Sequence, residues 1–300
     1  MLNIAVQTAG IEEVYGIKEA YGKIREWGFD AVDANIDHLL GYRTIVNNEI
    51  PAYLVEGGEE FLERLRPWRD GAKETGLANY QAHAPFPSYV LGADEANQSM
   101  LKVLQNMIRG CDYLDCRNLI IHPFFAGYGQ MSREDEKQLN LESYAKLIPA
   151  AKEYGVTVCL ENMFTGHNGK IYAACCSDIG DACDYIDTLN ELAGQKVFGF
   201  CLDTGHALLC SLDIKDTMIE LGDRICALHV HDNDGRNDQH LAPYMGVLDW
   251  ERFMEGLRAI GFNKTLSFET FNACNVVNKK LLPELERFIA RCGRVFTEGL

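Results

Sequence analysis

The sequence predicts a single α/β domain over residues 1–300, a (β/α)8 TIM barrel with its active site at the C-terminal face of the strands. Three observations predict it. Eight short apolar runs alternate with longer amphipathic segments, and glycine follows most of those segments. That cadence of helix, glycine, short turn and strand belongs to βα units around a parallel sheet. The turn after the first run reads Gln7-Thr8-Ala9-Gly10, without the G-x-G-x-x-G pattern an open dinucleotide-binding sheet would want.

The runs occupy 2–8, 31–35, 78–83, 118–122, 156–162, 197–203, 225–231 and 265–271. Each is rich in Val, Ile, Leu or Phe, or otherwise apolar, as a strand buried on both faces requires. A helical pattern over 10–27 follows the first run and stops at Gly28. The next covers 59–75 and stops at Gly76. Helical periodicity returns over 94–114, over 134–154 before Gly155, over 177–192 before Gly194, and over 249–260 before Gly261. Glycine just past a helix takes the left-handed conformation that closes the last turn. Longer loops at 36–57, 84–93, 123–133, 163–176 and 232–248 all follow strands, so in a barrel they rise from one face.

Composition narrows the function. The net charge is -16, from 44 acidic and 28 basic residues, and no basic patch stands out. Such a chain repels phosphate backbones and anionic lipid, so neither nucleic acid nor membrane is an expected partner. The N-terminus lacks the basic and apolar regions of a signal peptide, and no run of roughly 18 apolar residues occurs. The eleven cysteines are scattered, without zinc-ribbon spacing, and several sit inside apolar runs. They read as small buried hydrophobes in a reducing, cytoplasmic setting.

Six consecutive runs end in, or carry, an ionisable residue: His83, His122, Glu161, Asp203, His231 and Glu269. Burying such groups costs free energy unless they are paired or ligated. Few cations lie nearby to pair with them, and clustered carboxylates repel one another. A divalent metal resolves the conflict, and a barrel brings the strand ends together. The expected ligands are Glu161, Asp203, His231 and Glu269. His229 points the same way as His231 and is expected to support the site from below. Three oxygens with one imidazole favour Mn²⁺, with Zn²⁺, Co²⁺ and Mg²⁺ as alternatives. In the segment Gly246-Val247-Leu248-Asp249-Trp250, Asp249 is expected to cap a helix and Trp250 to pack beneath it.

Several segments carry a family resemblance: Gln81-Ala82-His83-Ala84-Pro85, Ile121-His122-Pro123, Leu160-Glu161-Asn162, Leu202-Asp203-Thr204-Gly205-His206, His229-Val230-His231-Asp232-Asn233, Asp238-Gln239-His240 and Phe268-Glu269-Thr270. The chain resembles the xylose-isomerase-like barrels, which include sugar isomerases, epimerases and endonuclease IV. The resemblance implies that Glu161, Asp203, His231 and Glu269 hold one metal and that Glu161 and Glu269 act as acid and base. It also implies, from endonuclease IV, that His83, His122, His206, Asp238 and His240 bind further ions or substrate. Arg236 matches a substrate-binding arginine of the epimerases with a one-residue offset.

The expected activity is isomerisation or epimerisation of a small carbohydrate by proton transfer between the two glutamates. An endonuclease IV-like metal phosphoesterase and a non-catalytic carbohydrate-binding relative are the alternatives. Phe86, Phe124, Phe125, Tyr128, Phe164 and Trp27 are candidates for the pocket wall. No phosphate-cradling loop is evident, and self-association into a homo-oligomer is possible for such a barrel.

Overall fold

The computed structural model describes residues 2–300, and all eight apolar runs are strands. The barrel strands are β1 (Ile4–Gln7), β2 (Ala31–Ala34), β3 (Ala78–His83), β4 (Asn118–Ile120) and β5 (Thr157–Glu161). After a hairpin of β6 (Phe164–His167) and β7 (Lys170–Ala173) come β8 (Phe198–Asp203), β9 (Ile225–His229) and β10 (Leu266–Phe268). The eight pair in parallel in the order β10-β1-β2-β3-β4-β5-β8-β9. A bridge between Val230 and Phe268 joins the two ends: Val230 N donates to Ser267 O (2.9 Å) and Glu269 N to Val230 O (3.1 Å). The fold is the predicted (β/α)8 barrel.

Two strands carry an extra residue. Tyr80 falls between the pairs Val32–Asn79 and Asp33–Gln81, and Cys226 between Phe200–Ile225 and Cys201–Ala227. Bulges of this kind re-aim side chains. The Tyr80 hydroxyl donates to the Cys226 carbonyl at 2.9 Å, tying β3 to β9. Ile120, Cys159, Cys201 and Ala227 form a small apolar layer distinct from the main core of helix and strand side chains.

Helices depart from expectation where backbone geometry intervenes. Gly16 (φ 75°) splits 10–27 into Glu12–Tyr15 and Ile17–Trp27. The 134–154 pattern divides into Arg133–Ala145 and Ile148–Tyr154, the second opened by Pro149 in its first turn. Residues 59–75 match the helix Glu59–Thr75. Helices Thr204–Leu209, Ile214–Leu221 and Leu282–Phe296 are additional to the sequence reading. The last buries Leu282, Leu285, Ile289, Cys292, Gly293 and Phe296 at helical spacing. A Cβ on Gly293 would lie 2.8 Å from the Phe268 ring and 3.0 Å from Ile4, so glycine lets this helix approach the sheet. The β6–β7 hairpin sits where a loop was expected; its tip, Asn168-Gly169, has φ of 50° and 72°, the signature of a tight hairpin turn. The described cysteines are free and mostly buried. Among the described residues no helix is long and apolar enough to cross a membrane.

Candidate metal centre

The ionisable strand ends meet at one mouth of the barrel. Glu161 closes β5, Asp203 closes β8 and His229 closes β9; His231 and Glu269 lie just past β9 and β10. All five are buried, none more than 6% exposed. Local hydrogen bonds fix them. The Asn162 amide receives Asp203 N (2.9 Å) and donates to Asp203 O (2.9 Å). Asp203 also caps helix Thr204–Leu209 by accepting His206 N, which swings His206 into the same mouth. Thr204 Oγ1 accepts from His231 N (3.0 Å) and donates to His231 O (2.8 Å). Asp232 accepts from the backbone N–H of Asn233, Gly246 and Leu248 and from the Trp250 indole, ordering the loop beyond β9. Asp249 caps the following helix and Trp250 is buried, as expected.

The expected His231 reaches Asp203 and forms a possible ligand group with His240 and Glu269, and His229 also stands among the three carboxylates. Its Nδ1 lies 3.3 Å from Glu161 Oε2, 3.4 Å from Glu269 Oε2 and 4.0 Å from Asp203 Oδ2. Ligand atoms about 2.1 Å from one tetrahedral ion are about 3.4 Å apart, so these spacings suit a shared cation. The reason is register: Asp203 pairs with His229 across β8 and β9. His231 Nε2 touches Asp203 Oδ2 at 3.0 Å and its ring stacks on His240 at 4.1 Å. Two further groups flank the carboxylates. His83, His122 and Glu161 form one, with His122 Nε2 3.2 Å from Glu161 Oε2. His206, Asp238 and His240 form the other, with Asp238 Oδ2 3.5 Å from His206 Nε2 and 3.0 Å from His240 Nε2. Arg236 is exposed and does not line the cavity.

The donor set passes a test of fit. Glu161 Oε2 and His229 Nδ1 are buried without a hydrogen-bond partner, and so are His231 Nδ1 and His122 Nδ1. Buried polar atoms normally have partners. No Lys or Arg lines the cavity. Burial opposes the charge on Glu161, yet His229 and His122 hold its carboxyl well below the usual range. Burial likewise opposes the charge on His206, but Asp203, Asp238 and Glu161 raise it to about 10. Glu161, Asp238 and Glu269 are held ionised by neighbouring imidazoles, and among the described residues lining the cavity no Lys or Arg offers a further counter-charge.

Asp33 escaped the sequence reading. It is fully buried in the middle of β2, 3.2 Å from His229 Nε2, and accepts from Gln81 Nε2 at 2.8 Å. A carboxylate this close to a histidine ring is placed to orient it. Gln7 Nε2 donates to Glu269 Oε1 at 2.8 Å in the same way. An acidic residue inside the apolar run Ala31-Val32-Asp33-Ala34 was the available signal. The cavity above the centre has a volume of about 540 Å³. Phe86, Phe125 and Phe164 line it as expected, together with Phe271; Phe124, Tyr128 and Trp27 do not.

Residues 22–292 match the family model described as xylose isomerase-like TIM barrel. The chain belongs to the xylose isomerase-like TIM barrel family. It is 25% identical over 282 residues to the uncharacterized protein y4fM of Sinorhizobium fredii (strain NBRC 101917 / NGR234), covering 85% of this chain and 81% of that one. Inosose isomerase of Bacillus licheniformis is 22% identical over 59% of this chain and 62% of its own length. The structure of 3-keto-D-glucoside 4-epimerase, YcjR, from E. coli superposes with a TM-score of 0.71 at 15% identity, covering 98% of this chain and 100% of that one. The IOLI protein with a bound zinc atom gives 0.69 at 15% identity, covering 98% and 97%. At these identities the structural likeness speaks for the fold.

Proposed function

We propose that this chain is a metal-dependent isomerase or epimerase of a small carbohydrate. The observation that carries the reading is the approach of Glu161 and Glu269 to one imidazole nitrogen beneath a single cavity, at 3.3 and 3.4 Å. The inosose isomerase relatives and the sugar-epimerase fold neighbours support the substrate class. Glu161, Asp203 and Glu269 would hold the ion together with the expected His231, which reaches Asp203, or with His229 beside them; Mn²⁺ comes before Zn²⁺, Co²⁺ or Mg²⁺. When bound, the ion supplies Lewis-acid polarisation of the sugar carbonyl.

The protein side of the reaction is a proton relay. One glutamate takes the proton from the carbon beside the carbonyl, and the other returns it. Return on the opposite face inverts that carbon; return to the neighbouring carbon moves the carbonyl. His206 faces the cavity and orients a substrate oxygen. Phe86, Phe125, Phe164 and Phe271 shield the relay from water. A reducing, cytoplasmic setting fits the free cysteines.

Incubation of the Mn²⁺-loaded protein with a ketose panel in D2O is expected to exchange one sugar C–H for deuterium. Glu161→Gln and Glu269→Gln are each expected to lower the exchange by at least about a hundredfold. Absence of exchange across the panel would sink the reading.

A second reading, a phosphoesterase of endonuclease IV type, is favoured by one observation: the two flanking triads could hold two more ions. The net charge of -16 disfavours a polyanionic duplex. Metal analysis near three equivalents, with incision of an abasic duplex, would select it over the sugar reading.

A further inference from the structure

The structure holds a second chemically distinctive cluster, a pair of adjacent thiols that takes no part in the candidate centre. Cys175 and Cys176 follow β7 and are 5% and 2% exposed. Their sulfurs lie 3.7 Å apart. Both line a separate cavity of about 440 Å³, beside Tyr128, Tyr172 and Tyr185, through which a small reagent can reach them. Cys176 is left-handed (φ 63°), a conformation non-glycine residues seldom adopt. The Cys175 sulfur also contacts the Tyr185 hydroxyl at 3.5 Å and the Asn140 amide at 3.6 Å.

The turn carrying the thiols is stitched to Met163, two residues past Glu161. Met163 N donates to Cys175 O (3.0 Å), and Met163 O accepts from Ala174 N (3.0 Å) and the Ser177 hydroxyl (2.6 Å). Met163 itself lines the cavity over the metal centre. A change in this turn therefore reaches the end of β5 through hydrogen bonds.

We propose that Cys175 and Cys176 are a redox-sensitive vicinal dithiol, closed to a disulfide by a peroxide, whose closure loosens the Met163 segment beside Glu161. One thiol sulfur attacks the peroxide O–O bond, giving a sulfenic acid and one water. The second thiol attacks that sulfur, the S–S bond forms and a second water leaves. Two thiols and one hydrogen peroxide thus give one disulfide and two waters. Closure brings the sulfurs from 3.7 Å to about 2.05 Å. Adjacent Cα atoms stand about 3.8 Å apart, below the usual disulfide range, so the turn must distort and the bond is strained. Strained disulfides are readily reduced, as a reversible signal requires. Burial, and then the neighbouring Cys175, raise the Cys176 thiol well above its ordinary range. Cys176 therefore rests as the thiol, and because only the thiolate attacks a peroxide, closure is slow and calls for sustained oxidant.

The test treats the full chain with hydrogen peroxide, alkylates the remaining thiols and digests with trypsin. Cleavage after Lys170 and Lys196 releases one peptide carrying Cys175, Cys176 and Cys183. The expected product has two unlabelled cysteines and a mass about 2 Da below the reduced peptide. Dithiothreitol reverses it, Cys183→Ser retains it and Cys175→Ser loses it. Amide hydrogen exchange at Met163 is expected to quicken about tenfold in the oxidised protein. Fragmentation of the wild-type peptide localises the bridge even if the serine variant fails to fold. Labelling of both cysteines after peroxide, a bridge that includes Cys183, or unchanged exchange at Met163 would overturn the proposal.

Discussion

At the scale of single residues, the centre depends on groups one step behind it. Asp33 does not line the cavity over the centre, but its carboxylate faces the far nitrogen of His229 at 3.2 Å. Asp33→Asn is expected to weaken Mn²⁺ binding by roughly 10- to 100-fold, read by calorimetry, with the far-ultraviolet circular dichroism unchanged. Unaltered affinity would remove Asp33 from the site. Glu286 presents the opposite case, a fully buried carboxylate outside the centre with no salt bridge among the described residues. Its Oε1 accepts from the Cys274 thiol at 3.4 Å, its Oε2 has no partner, and burial pushes its pKa up to about 7. The folded state therefore binds this proton more tightly than the unfolded state. Stability is lost as pH climbs from about 4.5 toward 7, and the loss is complete above 7, at about 3 kcal/mol. Urea unfolding should find Glu286→Gln close to wild type at pH 5 and more stable at pH 8. A difference independent of pH would contradict this account.

Glu161, Asp203 and Glu269 were legible because each ends or follows an apolar run. The closeness of His229 to them was not, because it depends on where pairing with β8 stops. Sequence alternation treats His229 and His231 alike, whereas register sets His229 opposite Asp203. Arg236, expected from a motif match with a one-residue offset, is exposed and does not line the cavity.

At the scale of elements, the turns around the centre leave little freedom. A Cβ on Gly205 would sit 1.9 Å from His231 Cε1, and one on Gly246 would sit 2.2 Å from Asn233 O. Each glycine is a place where another chain segment needs the space of a side chain. Asp232 receives four N–H donors, three from the Gly246–Trp250 segment and one from Asn233. Asp232→Ala should cost roughly 4 kcal/mol in urea unfolding, since it strands four donors in a buried loop. A loss below about 1 kcal/mol would mean that water replaces the carboxylate. The eight strands were legible from apolar runs, and the helix Glu59–Thr75 from its periodicity and Gly76. Helix Leu282–Phe296 carries an equally clear spacing, but it follows the eighth run, where the alternating pattern has no further strand to announce it. The β6–β7 hairpin was overlooked because its strands are half-exposed and lack an apolar run.

At the scale of the whole molecule, the acidic charge and the buried donor set act together. Concentrated carboxylates destabilise the folded chain unless a cation answers them. A chelator is therefore expected to lower the melting temperature of metal-loaded protein by about 5 °C, and excess Mn²⁺ to restore it. A melting temperature indifferent to both would argue against a bound ion.

The join between Val230 and Phe268 gives that cation a second consequence. Only two backbone hydrogen bonds close the cylinder there, Val230 N to Ser267 O and Glu269 N to Val230 O. His229 and Glu269 flank them on opposite lips. An ion gripped by both residues would work as a clasp on the weakest seam of the wall. Stripped of it, the barrel should unzip first along that line, and proteases should find residues 265–271 before any other strand.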